Sequence, residues 1–164
     1  MLLEIEKQLK EWLSNVKKLV ILGVGNPLRH DDGFGPALIE AVSKYKLPDK
    51  VKLINCETVP ENFLNTVIRL EPSHVIIVDS AQMSTLPGEV KLISPENIGG
   101  ITFSTHTLPL TFTIKYIEHF TGAEVKLILV QPENLDFGEG LTLKVSKALD
   151  DIKKLLIRIL QQLK

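Results

Sequence analysis

Apolar side chains at Leu2, Ile5, Leu9, Trp12, Leu13 and Val16 fall three or four positions apart with Glu and Lys opposite them, which predicts an amphipathic helix over 2–16. The pattern then changes period. Leu19–Val24 is an uninterrupted apolar run and reads as a buried strand. Ala37, Leu38, Ala41 and Val42 give the inner face of a helix over Phe34–Tyr45. A second strand is expected at Val51–Asn55, followed by a helix opened by Pro60, with Thr58 as its cap candidate, and running to Leu70. Val75–Val78 is apolar at every position, as a central strand buried on both faces must be. The next strand, Glu89–Ile93, follows too soon for a parallel crossover and is expected antiparallel in a mixed sheet. Residues 94–105 read as a loop, and Thr107 as the cap of a helix that enters through Leu108-Pro109 and runs to about His119. Val125–Val130 is the fifth strand. The last helix, Leu141–Leu163, carries a heptad stripe of Val145, Leu149, Ile152, Leu156, Ile159 and Leu163. That stripe is expected to cover a sheet face or pair with the first helix; a dimer seam is the alternative.

The chain has 164 residues, consistent with one domain, 1–164, in which a helix over 1–17 precedes an α/β core over 18–164. A net charge of −1 gives no bulk electrostatic reason to expect nucleic acid or an anionic membrane as partner. Cys56 is the one cysteine, which rules out an intramolecular disulfide and a cysteine-based zinc site and suggests a small buried hydrophobe. No apolar run reaches membrane-spanning length, and the charged N-terminus is not a signal peptide, so the expected compartment is the cytoplasm.

Candidate chemistry collects where the parallel strands end. Strand one leads through Gly23, Gly25 and Asn26-Pro27 to Arg29-His30-Asp31-Asp32; strand two ends at Glu57, strand three at Asp79, and His106 precedes the fourth helix. Ligands of open α/β sheets bind beyond these carboxyl ends. A dinucleotide loop is disfavoured, because the third glycine of the fingerprint falls on Leu28 and the acidic pair would repel a pyrophosphate. Carboxylates with one imidazole suit a divalent cation of borderline softness, such as Zn, Ni or Mn. His106 lies close to a helix N-terminus, which disfavours imidazolium. Simpler roles stand beside these: Asp31 or Asp32 as a helix cap, Asp79 as a partner of loop amides, His106 as a satisfied loop histidine. The doublet weakens the cap reading, since one cap needs one side chain, and Asp31 is the better cap candidate. His30 receives no role.

The segments Gly23-Val-Gly-Asn-Pro-Leu-Arg-His-Asp-Asp-Gly-Phe-Gly, Val59-Pro-Glu-Asn, Ile77-Val-Asp79, Pro87-Gly-Glu, Ser104-Thr-His-Thr-Leu-Pro-Leu and Gln131-Pro132 occur in this order. Together they resemble the NiFe-hydrogenase maturation endopeptidases, in particular the branch acting on formate-hydrogenlyase-type enzymes, over about residues 19–150. The resemblance implies a phosphorylase/hydrolase-like three-layer α/β/α sandwich on a five-stranded, mostly parallel mixed sheet, with strand four antiparallel at an edge beside strand five. It implies an endopeptidase that removes the C-terminal extension of a hydrogenase large-subunit precursor after nickel insertion. It further implies Asp32, Asp79 and His106 as metal-facing, catalytic residues. Three protein ligands leave positions open, so the nickel is expected to arrive with the substrate, and Zn or Cd could occupy the same donors. Two features depart from the family pattern: Cys56-Glu57 replaces small residues, and the helix over 1–17 precedes the usual start. The rival from another class is a non-catalytic nickel- or nucleotide-binding module.

Overall fold

The computed structural model describes residues 1–103 and 109–164. The chain runs α1 (Leu2–Trp12), β1 (Leu19–Val24), α2 (Phe34–Ser43), β2 (Val51–Glu57), α3 (Leu64–Leu70), β3 (His74–Gln82), β4 (Val90–Ile93), β5 (Thr102–Phe103), α4 (Leu110–Thr121), β6 (Glu124–Val130) and α5 (Leu143–Gln161). The main sheet has the order β2-β1-β3-β6-β4. Its first four members are parallel, and β4 pairs antiparallel with β6, at the edge expected for the fourth strand.

The period-two alternation of a strand places successive side chains on opposite faces. Ile21, Ile76, Val78, Ile128 and Val130 lie in one cluster with α1, α2 and α5. Leu22, Val75, Ile77, Leu127 and Leu129 lie in a second with α3 and α4. These are the three layers that the family resemblance implied. Because both sheet faces are covered, β1 is buried at every position. The heptad stripe of α5 is used within the chain: Val145, Ile152, Leu156 and Ile159 join Ile5, Leu9 and Leu13 of the N-terminal segment in the first cluster. A bond from Arg158 Nη2 to Glu6 Oε2, 3.0 Å, ties α5 to α1 at the surface.

Four local expectations are corrected. Residues 94–105 are not wholly loop: Thr102 and Phe103 pair antiparallel with Gln82 and Ala81, so β5 adds a short sixth strand at the end of β3. Two residues carry no periodicity, so no pattern could announce them. Helix α2 stops at Ser43, short of Tyr45. Thr58 caps nothing: a 3-10 turn, Pro60–Phe63, leads into α3, and its cap position is Val59. Finally, β2 continues through Cys56 and Glu57 by a bulge, since Gly23 pairs with Asn55 and Val24 with Glu57. Glu57 takes φ 48°, an uncommon backbone state for a residue with a side chain.

Close helix–sheet contact fixes where the loop after β1 can go. A Cβ on Gly35, in the first turn of α2, would lie 2.3 Å from the Val24 carbonyl oxygen and 2.5 Å from that of Val78. Only glycine lets the helix start directly over the ends of β1 and β3. No helix among the described residues is long and apolar enough to cross a membrane.

Candidate active site

The turn that carries the acidic pair is a 3-10 segment, His30–Gly33, running directly into α2. Gly25, at φ +145°, makes the turn possible: a Cβ there would stand 1.9 Å from the Asp32 carbonyl oxygen. The loop therefore folds back on the end of β1 and carries Asp32 inward.

Asp32 is fully buried. Its Oδ2 accepts the backbone N–H of Asn26 at 2.9 Å, and its Oδ1 accepts the Ser80 hydroxyl at 3.0 Å. Asp79, two residues before β3 meets β5 at Ala81, is also fully buried, and its Oδ1 accepts the Ser80 backbone N–H at 2.8 Å. Ser80 thus bonds to both carboxylates, although Asp32 and Asp79 are far apart in the chain. The sequence did not single out Ser80; the signal available was its place beside Asp79 at a strand end.

His106 lies outside the described residues, as does Thr107. Among the described residues, no group of three or more His, Cys, Asp and Glu is arranged to hold a metal ion. The two buried carboxylates, both bonded to Ser80, are oxygen donors of the kind a divalent cation takes.

Asp31 has a different task from the one expected. Helix α2 begins at cap position Gly33 without a side-chain cap bond. Asp31, fully buried, instead reaches across to the 133–142 segment. Its Oδ2 accepts the N–H groups of Glu133 and Asn134 at 2.8 and 3.0 Å, and its Oδ1 accepts that of Thr142 at 2.7 Å. The Thr142 hydroxyl also donates to this carboxylate. Thr142 is the N-cap residue of α5, so Asp31 seats a helix more than a hundred residues away, with its negative charge at that helix's positive end. His30 gains a role too: its Nδ1 lies 2.9 Å from the Gly140 carbonyl oxygen, and its backbone N–H donates to Gly138 at 2.8 Å.

Cys56 is buried at the β2 bulge, as its composition-level reading expected. Desolvation, with a smaller contribution from Glu61, pushes its thiol up to about 12. It is not a nucleophile at neutral pH.

The family model for hydrogenase maturation proteases of the HycI type matches residues 36–159. The chain belongs to the hydrogenase maturation protease family. A Methanocaldococcus jannaschii protein, provisionally named a hydrogenase maturation protease, is 36% identical over 167 residues and covers 98% of each chain. The hydrogenase 3 maturation protease of Escherichia coli K12 is 31% identical over 134 residues, 81% of this chain and 85% of its own. Among solved structures, the NiFe hydrogenase maturation protease HycI of Thermococcus kodakarensis superposes with a TM-score of 0.87 at 28% identity, over 94% of this chain and 99% of that one.

Membership makes the chain a hydrogenase maturation endopeptidase, and its architecture is that of the HycI structures. A non-catalytic nickel or nucleotide module is displaced by an enzyme family. The N-terminal helix is also not an addition peculiar to this chain, since the M. jannaschii match takes in 98% of both proteins.

Proposed function

We propose that the chain cleaves the C-terminal extension from a NiFe-hydrogenase large-subunit precursor once nickel has been inserted, and that Asp32, Asp79 and His106 meet the nickel carried by that substrate. The observation that supports the site is the shared hydrogen-bonding of Asp32 and Asp79 to Ser80, two buried carboxylates held at the carboxyl ends of β1 and β3. Family membership supports the substrate class.

In this reading the chain's residues position rather than store the metal. Asp32 and Asp79 are held by backbone and Ser80 donors, so their oxygens need little reorganisation when a cation arrives. A divalent ion beside a scissile bond supplies Lewis-acid polarisation of the carbonyl. Zinc and cadmium would take the same donors, and the compartment we assign is the cytoplasm.

The test is incubation of purified nickel-loaded precursor with the chain, followed by mass spectrometry of both products. Release of one C-terminal peptide is expected. An intact precursor after prolonged incubation with folded enzyme would refute the assignment. A companion measurement is calorimetry of the isolated chain with Ni²⁺: weak binding is expected, and one tight stoichiometric site would replace the substrate-borne metal with a resident one.

A further inference from the structure

Phe137 sits in the segment between β6 and α5 and is 83% exposed, a costly position for a large aromatic side chain in water. It is not on a loose loop. The Gly138 N–H donates to the Leu28 carbonyl at 2.7 Å, and the His30 N–H donates to the Gly138 carbonyl at 2.8 Å. On the other side of Phe137, Arg29 Nε donates to the Leu135 carbonyl at 3.1 Å and the Asp31 N–H to that of Asn134 at 3.0 Å. The buried Asp31 carboxylate then fastens residues 133, 134 and 142. A Cβ on Gly138 would stand 2.3 Å from His30 Nε2, so the two segments are packed as well as bonded.

The partner of this contact is the loop that carries Asp32. Leu28, whose carbonyl receives the Gly138 N–H, is itself 46% exposed. Two exposed apolar side chains, on two loops bonded to one another, therefore stand beside the turn that delivers a site carboxylate. Asp136 and Glu139 flank Phe137, and both are exposed.

We infer that Phe137, supported by Leu28, is the docking anchor for the folded precursor, which it engages through an apolar socket bordered by Lys or Arg. This rests on the proposed function and deepens it. The anchor's loop is ordered before the partner arrives, so covering it loses little conformational entropy. A buried aromatic at the centre of a polar rim is the pattern that concentrates binding energy in few residues. The acidic rim supplies charge complementarity to a basic border and makes association slower at high salt. The protease must bring a whole protein to the Asp32 turn, and the anchor is joined to that turn by hydrogen bonds.

The experiment compares wild type, Phe137→Ser, Phe137→Tyr and Leu3→Ser, the last an equally exposed apolar residue on α1. Binding of nickel-loaded precursor is read by interferometry and its cleavage by KM and kcat, at low and high salt. Phe137→Ser should raise Kd and KM about tenfold or more with kcat held, and Phe137→Tyr should recover most of the loss. Leu3→Ser should match wild type in both. The melting temperature of each variant verifies folding. If wild type cuts the precursor and Phe137→Ser binds within about twofold of it, the anchor is refuted and the proposed function stands. If wild type neither binds nor cuts, both fall. If wild type sediments as a dimer and Phe137→Ser as a monomer, the surface joins two copies and precursor docking is overturned.

Discussion

Asp31 offers the most quantitative test of how the site is built. Replacing it with Ala removes the acceptor for the N–H groups of Glu133, Asn134 and Thr142, at 2.8, 3.0 and 2.7 Å, together with that for the Thr142 hydroxyl. Hydrogen bonds to a charged group contribute about 1.5–3 kcal/mol each, and a donor left without acceptor costs about 1–3 kcal/mol where water cannot reach it. Glu133 is exposed and Asn134 half-buried, so part of the loss is recovered by hydration. Taking about 1 kcal/mol for each of the three N–H groups, and somewhat less for the lost charge at the α5 N-terminus, gives about 3–4 kcal/mol. At about 2–4 °C per kcal/mol for a chain of this size, the melting temperature should fall by about 10 °C. Asp31→Asn keeps one acceptor oxygen and should lose about half as much. Urea unfolding followed by the fluorescence of Trp12, the single tryptophan, measures both at constant m. A loss below about 1 kcal/mol for Asp31→Ala would show that the 133–142 segment does not depend on this carboxylate and would refute the assignment.

Gly35→Ala should be among the most destabilising small changes, costing more than about 3 kcal/mol or abolishing soluble expression, because its Cβ would meet the Val24 and Val78 carbonyls at 2.3 and 2.5 Å; near-native melting would contradict this. With its thiol near 12, Cys56 should resist iodoacetamide at pH 8 in the folded protein and react once urea is added. Burial lowers the pKa of His74, which packs edge-on to Trp12 at 4.7 Å and has Nε2 3.1 Å from Glu124 Oε2. The folded state then binds fewer protons than the unfolded one, so stability should rise with pH from the lowered value up to about 6.5; His74→Gln should flatten that slope in melts between pH 5 and 7, and an unchanged slope would contradict the assignment.

How much of this was legible in the sequence depended on the range of the interaction. Strands β1, β3 and β6 announced themselves through the apolar runs Leu19–Leu22, Val75–Val78 and Leu127–Val130, which are buried because both sheet faces are covered. The short step to β4 dictated its antiparallel sense. Asp32 and Asp79 could be placed in one neighbourhood because parallel strands end on the same side of a sheet. Their shared partner Ser80 was not assigned, since a serine after a strand has many ordinary uses. Asp31 was misassigned because local spacing suggests the nearest helix, whereas its donors come from residues 133, 134 and 142. The same long-range contact explains His30, which the sequence left without a role. The β2 bulge and the two-residue β5 are set by tertiary fit and leave no periodic trace.

The central claim, that two buried carboxylates bonded to Ser80 serve a substrate-borne nickel, is tested most directly by cleavage of one precursor in nickel-loaded and nickel-free form. Wild type, Asp32→Asn and Asp79→Asn are compared, with folding verified by melting temperature. Wild type is expected to cut the loaded form alone, and both variants to lose at least about a hundredfold in kcat/KM, as removal of one electrostatic stabiliser typically does. Equal cutting of the loaded and nickel-free precursors by wild type, or normal cutting by both variants, would contradict it.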